Sequence, residues 1–402
     1  MALIDNRAQA AAGAPPETFH WLGVFGDALS QVEKHYLRPV DTPKLIQASL
    51  EGMFRSLDPH SSYISPATFS LMTGRTPTPA AIGISLTETS RGLRVIAALP
   101  NGPAARADIQ PGDELVAIDG QYTSNLSVDQ AVGLLKGEPA SSVVLSIRRD
   151  DRLLDVTLSR QLVPPGPTQS SRMIGAVGYL SISALNENCA RDAETAIRAL
   201  RAQNPAMKGL VLDLRNSPGG LLSEAVGVAD LFLDGGDIVS QRGREPRDVE
   251  RYVARPAQVA QGLPMIVLVN GGTASGAEII AGALQDRGRA KLLGLHTFGN
   301  GTIQTVIPLA GGRDGAIKLT TSMFFLPSGR PIQKVGLTPD LPVANSAAEA
   351  AARFPAGEAA LPGAIDPPAG SPPAARPPQA PPAGYAANGD YQLDRAVTLL
   401  KG

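Results

Sequence analysis

Disulfide chemistry is nearly absent from this chain. Cys189 is the one cysteine in 402 residues, so no intrachain bridge can form, and the count leaves the redox compartment open. It sits at an apparent helix start, where a small half-buried residue is expected rather than a reactive thiol. Aromatic residues are scarce, at 4%, which disfavours a base-stacking surface. Neither sign of charge is in excess: 36 Lys and Arg stand against 37 Asp and Glu. Nucleic acid and anionic membranes are therefore not expected partners. No apolar run reaches the roughly 18 residues of a transmembrane helix. Residues 1–19 lack a basic stretch followed by an apolar one, so no signal peptide is recognisable. The chain is expected either to be cytosolic or to begin after a removed segment. The four histidines, His20, His35, His60 and His296, show no metal-ligand spacing, and no metal or other cofactor is expected.

The remaining pattern falls into blocks. Residues 1–16 are Ala-rich and aperiodic, an expected loose end. Over 17–72, Trp21, Val24, Phe25, Leu29 and Val32, then Leu45, Ile46, Leu50, Met53 and Leu57, recur at helical spacing. Pro39 and Asp41-Thr42-Pro43 separate the two helices, and Asp58-Pro59-His60-Ser61-Ser62-Tyr63 breaks the second. The block 73–162 is rich in short strands, with an Asp119-Gly120 turn and a helix over 127–135 that Ser127 would cap. Pro164-Pro165-Gly166-Pro167 reads as a linker. Over 163–345 strands and helices alternate, which predicts an α/β core with a largely parallel sheet and antiparallel strands near its end. Residues 346–387 are dominated by Ala, Pro and Gly and are expected to stay flexible or polyproline-like. A short amphipathic helix at 388–402 is expected to dock back on the body.

Two Gly-rich turns each follow an apolar strand and precede a helix. One is Asp213-Leu214-Arg215-Asn216-Ser217-Pro218-Gly219-Gly220, the other Asn270-Gly271-Gly272-Thr273-Ala274-Ser275-Gly276. Carboxyl ends of parallel strands collect ligand sites, and helix N-termini there present free N–H groups to an oxyanion. Ser275 fits a nucleophile in that setting, and it equally fits a serine that caps a helix in a tight turn. The segment is not Gly-x-Ser-x-Gly, because Thr273 holds the first position. A triad through His296, the one histidine in this half, is a further option.

Several segments together resemble the C-terminal processing (tail-specific) peptidases of serine peptidase family S41. They are Leu57 to Tyr63, Pro103-Ala104-Ala105 to Pro111-Gly112-Asp113, Gly178-Tyr179-Leu180 to Asn186-Glu187-Asn188 and the 213–220 turn. Thr273-Ala274-Ser275, Gly282-Ala283-Leu284-Gln285-Asp286, Thr297-Phe298-Gly299-Asn300-Gly301 and the terminal helix complete the set. The resemblance implies a crotonase/ClpP-like protease core with an inserted PDZ domain and an N-terminal helical segment. It implies protein or peptide substrates with exposed C-termini. Ala81-Ile82-Gly83-Ile84 would be the carboxylate loop and strand of the PDZ groove, and the 127–135 helix its other wall. Bacterial members work in the periplasm or at the cell envelope, and a homodimer through terminal helices is implied too. A crotonase-type acyl-transfer function remains as a third class, disfavoured by the PDZ insertion and Ser275.

The family uses a Ser-Lys dyad. Ser275 matches its nucleophile, Gln304 the glutamine that orients the lysine, and Asp286 a supporting aspartate. The oxyanion donors would be the N–H of Gly276 and one from Gly219 or Gly220. The lysine position, 25 residues after the serine, is Asn300. A neutral lysine can accept the serine proton, whereas an amide has no usable basic lone pair. If 297–300 were extended, His296 would lie about 13 Å from Asn300, too far to replace the base without rearrangement. Three readings of Asn300 follow: a natural pseudopeptidase that binds tails as an adaptor or regulator, a variant position in an ordinary peptidase, or an enzyme with another base. Loss of activity is the expected outcome.

Overall fold

The computed structural model describes residues 16–73, 80–89, 92–98, 102–110, 112–126, 128–149, 152–161, 169–256, 259–260, 262–351, 357–368, 377–385 and 389–401. Residues 1–15 of the expected loose end, Pro111, Ser127 and the Pro164–Pro167 linker lie outside them. The chain forms two compact units, one from residues 1–77 and 304–320, the other from 78–303 and 321–402.

In the first unit, helices Pro16–His35 and Thr42–Arg55 occupy the two stretches of helical spacing. Asp41 caps the second by accepting the Lys44 N–H at 3.3 Å, and proline opens its first turn. The segment expected only to break this helix does more. The buried Asp58 carboxylate accepts the main-chain N–H of His60 and of Ser61, each at 2.8 Å, and the Ser61 hydroxyl at 2.6 Å. That turn launches the strand Ser62–Ile64, which pairs antiparallel with 316–318. The helix Pro66–Met72 follows. Thr320 Oγ1 donates to Asp58 at 3.1 Å and accepts from Gln304 Nε2 at 3.3 Å, so Gln304 is held within this unit. Trp21, Val24, Phe25 and Val32 of the first helix lie exposed in the single chain.

The second unit holds two sheets with separate cores and a shorter antiparallel one. The first is antiparallel, ordered Ile84–Thr89, Gly92–Ala98, Glu114–Ile118, Ser142–Arg149 and Arg152–Ser159, with Gln121–Tyr122 on Glu114–Ile118. Asp119 and Gly120 both have positive φ, at 48° and 77°, as a two-residue hairpin turn demands. Val143, Leu145 and Ile147 alternate inward on Ser142–Arg149, which fixes its register. The helix Val128–Leu135 packs beside Ile84–Thr89.

The second sheet runs Leu341–Pro342, Lys291–Gly294, Met265–Val269, Gly209–Asp213, Val177–Ile182 and Gln169–Ile174. It is parallel except at the last edge. All five residues of Gly209–Asp213 and of Met265–Val269 are buried, because both faces are covered. Helices Cys189–Gln203, Leu222–Asp230 and Gly276–Asp286 cover one face. The helix Tyr391–Lys401 covers the other, inserting Leu393, Ala396, Val397 and Leu400. Its docking is as expected. Cys189 is buried, and burial pushes its thiol up to about 11, which keeps it protonated. The strands Gln169–Ile174 and Lys291–Gly294 escaped the sequence reading. So did the hairpin Asp237–Arg242 with Val249–Val253, which pairs with 323–325.

The stretch 346–387, expected to be flexible or polyproline-like, makes specific contacts in its described parts. Glu358 is fully buried there, and its N–H donates to the Phe298 carbonyl at 2.9 Å. The Ala344 N–H donates to Gln379 and the Gln379 N–H to Pro342, both at 2.9 Å. Main-chain pairing and single polar side chains take part in holding this stretch, and composition gave no sign of them.

Candidate active site

The strands Gly209–Asp213 and Met265–Val269 pair in parallel, Asp213 opposite Leu268, so the turns that leave them lie side by side. They are stitched together. The Asn216 N–H donates to Asn270 Oδ1, and Asn270 Nδ2 donates back to Asn216 Oδ1, each at 2.9 Å. The Ala274 N–H reaches the Ser217 carbonyl at 2.9 Å, and the Thr273 hydroxyl reaches the Leu214 carbonyl at 2.9 Å. Neither asparagine was singled out from the sequence; both read only as turn residues.

Ser275 ends the second turn with φ 51° and ψ −117°. A non-glycine residue holds such a backbone only where its surroundings over-determine it, and such strain collects at functional sites. Ser275 caps the helix Gly276–Asp286, and Glu278 completes a capping box by accepting the Ser275 N–H at 2.9 Å.

Next to the hydroxyl-bearing residue the two glycine turns pack closely. A methyl on Gly219 would come within 2.6 Å of Gly276 N and 3.1 Å of Ser275 Cβ. Gly219 and Gly220 have φ of 90° and 148°, which glycine tolerates and other residues do not. The N–H groups of Gly219, Gly220 and Gly276 have no hydrogen-bond acceptor among the described residues. Free donors at the start of a helix, beside a strained serine, can receive a developing oxyanion.

The loop around Asn300 closes on the same helix. Glu278 is fully buried, and four donors converge on its carboxylate. The Ser275 and Asn300 N–H groups share Oε2 at 2.9 Å each, while the Gly299 N–H at 2.8 Å and the Thr297 hydroxyl take Oε1. The main-chain nitrogens of Ser275 and Asn300 therefore lie within twice 2.9 Å of each other. Burial pushes the Glu278 carboxyl up to about 8, against the pull of those four donors. Glu278 was missed as a site residue, although its place three residues after Ser275 is a capping-box signal.

The Asn300 side chain turns to its own loop, its Oδ1 accepting from Thr302 N–H at 3.4 Å and Thr302 Oγ1 at 3.3 Å. His296 is engaged elsewhere, with Nε2 at 2.8 Å from the Val335 carbonyl and Nδ1 at 3.4 Å from Thr338 Oγ1. Burial lowers its pKa. Asp286 sits at the far end of the helix Gly276–Asp286, about 15 Å from Ser275 by helical rise. There it accepts from Ser328 N–H and Arg330 Nε, each at 3.0 Å, and so pins the 328–330 turn. Gln304 belongs to the other unit. Ala81 pairs with Gln161, the Ile82 carbonyl accepts from the Ala104 N–H at 3.0 Å, Gly83 has φ 73°, and Ile84 opens its strand.

No helix among the described residues is long and apolar enough to cross a membrane. The profile of peptidase family S41 matches residues 176–343, and that of a PDZ domain matches 94–149. A carboxy-terminal-processing protease of Bartonella bacilliformis is 39% identical over 331 residues, which span 81% of this chain and 76% of that one. A carboxyl-terminal-processing protease of Synechocystis is 34% identical over 318 residues, 77% of this chain and 73% of that one. Among solved structures, a photosystem II D1 C-terminal processing protease superposes with a TM-score of 0.64 at 28% identity, covering 79% of this chain and 91% of that one. The chain belongs to serine peptidase family S41, among the C-terminal processing proteases, and carries a PDZ domain within the α/β fold of that family.

Proposed function

We propose that this chain binds the exposed C-termini of proteins through its PDZ domain and presents them to Ser275, in a site whose base has been lost. Ser275 is the nucleophile, Gly276 with Gly219 or Gly220 forms the oxyanion hole, and position 300 is where the base belongs. The observation that carries this reading is the shared Glu278 oxygen, which keeps Asn300 next to the strained serine. An asparagine there cannot take the serine proton. Losing a catalytic partner leaves a residual of about 10³–10⁴ over water, negligible for peptide turnover. Gln304 keeps the role that the family resemblance implies for it, partner to the lysine of an active dyad. Work in the periplasm or at the envelope is part of the proposal, and cell fractionation tests it.

Cleavage of an unfolded protein with an apolar tail, by this chain, by Asn300→Lys and by Ser275→Ala with Asn300→Lys, decides the matter. The expected result is that only Asn300→Lys cuts. Cutting by the chain as it stands would refute the lost base.

A second reading, a tail-binding adaptor or regulator, is favoured by the engagement of Asn300 Oδ1 with Thr302 and of His296 with Val335 and Thr338. Neither side chain is poised to replace the base. This reading expects a free apolar C-terminus to bind, and the same peptide amidated at its end to bind at least about tenfold more weakly. Equal binding of the two peptides would end it.

A further inference from the structure

We infer that the segment 357–366 is a strap that positions residue 300, with Glu358 and Gln333 as its positioning residues. The inference rests on position 300 being the base position, and it goes beyond it. Glu278 holds the 297–300 loop from the helix side. The other side is held by a part of the chain that lies beyond the matched peptidase region and whose composition suggests no structure.

The contacts form one continuous path. Gly301, the residue after Asn300, donates its N–H to Gln333 Oε1 at 2.9 Å. Gln333 is fully buried and donates its Nε2 to Glu358 Oε1 at 3.0 Å and to the Ile365 carbonyl at 3.2 Å. The Glu358 N–H donates to the Phe298 carbonyl at 2.9 Å, and the Lys334 N–H donates to the Gly299 carbonyl at 2.9 Å. Lys334 Nζ meets Asp366 at 2.7 Å and fastens the far end of the strap. The approach leaves no slack. A methyl on Gly357 would stand 2.5 Å from the Phe298 carbonyl oxygen, and one on Gly301 would stand 2.3 Å from Gln333 N.

Every residue from 298 to 301 is thus tied to the strap, to Gln333 or Lys334, or to Glu278. A loop held from both sides has one conformation. A base at its tip needs that, since a misplacement of about 1 Å costs about 10²-fold in rate. Releasing Glu358 takes away one of the two acceptors of Gln333 Nε2 and so loosens the amide whose oxygen fixes the Gly301 N–H.

Hydrogen exchange of the peptide spanning 296–303 and catalysis in the Asn300→Lys background test this. In the full chain, Glu358→Ala is expected to speed exchange of 296–303 about tenfold or more, with exchange of 280–286 unchanged. With Asn300→Lys it is expected to lower kcat about tenfold or more and leave KM within about twofold. Glu358→Gln keeps an acceptor oxygen for Gln333 and is expected to restore both. Should Glu358→Ala fold poorly, Asp366→Asn loosens the far end of the strap and is expected to act in the same direction. If Glu358→Ala lowers the melting temperature but leaves exchange of 296–303 and kcat within about twofold, the strap is only structural and the inference falls. If Asn300→Lys does not cut at all, the reading of position 300 fails, and the exchange result alone still decides whether the strap holds the loop.

Discussion

The turn at Gly219 leaves no room for a single methyl. A side chain at Gly219 would contact Gly276 N at 2.6 Å and would have to hold φ 90°. If Gly219 is one of the proposed oxyanion donors, Gly219→Ala in the Asn300→Lys background shifts the turn and its N–H, and kcat is expected to fall about 10²–10³-fold, the scale of losing such a donor. Initial rates against substrate concentration check it, and an unchanged kcat would remove Gly219 from the site. His296 gives a prediction of another kind. Burial holds its imidazole below the ordinary 6.5, so the folded state favours the neutral ring. As pH falls below about 6.5 the unfolded chain takes up the proton first. The stability this group contributes above that pH is lost as pH falls through its folded value. Denaturant unfolding between pH 7.5 and 5 should show the decline, and His296→Gln should flatten it. An unchanged slope would place the titrating group elsewhere.

Elements are held at their ends by polar clamps as much as by their apolar faces. Arg215 follows the strand Gly209–Asp213 and binds Asp213 at 2.6 Å, while reaching Asp390 at 2.7 Å just before the last helix. Tyr179 Oη adds a bond to Asp213 at 2.9 Å, and Gln392 Nε2 binds the Val343 carbonyl at 2.7 Å. Asp390→Asn should cost at most about 1.5–3 kcal/mol, the range for hydrogen bonds to charged groups, and should raise amide exchange in 391–401 before the sheet is affected. If exchange there does not change, the apolar face alone holds the helix. The clamp also borders the Gly219-Gly220 turn, since Arg215 stands four residues before Gly219. How this element docks was legible as an amphipathic pattern. Its polar anchor was not, because ion-pair partners 175 residues apart leave no local signal.

At the scale of the whole molecule, the first helix leaves Trp21, Val24, Phe25 and Val32 exposed. Apolar surface of this kind is more often covered than left in water. We propose that a second copy covers it, the homodimer that the family resemblance implies. Sedimentation equilibrium should show a dimer, and Trp21, the one tryptophan, should shift its emission to the blue as dimer forms. A monomer at all concentrations would leave the stripe to another partner.

Local pattern alone determined a good deal: the helices of the N-terminal segment, the alternating βα core, the Asp119-Gly120 turn and the loop that carries Ser275. Each is written in spacing or in a short motif, and motif resemblance drew attention to Asn300 as the position to test. Tertiary structure decided the rest. The convergence of Ser275, Thr297, Gly299 and Asn300 on the Glu278 carboxylate joins two loops more than twenty residues apart. The ordering of part of the Pro/Ala-rich stretch depends on Glu358 finding Gln333 and Phe298. The strand Ser62–Ile64 exists because residues 316–318 lie beside it. In every such case the decisive bond joins groups distant in sequence, and burial makes each of them need a partner.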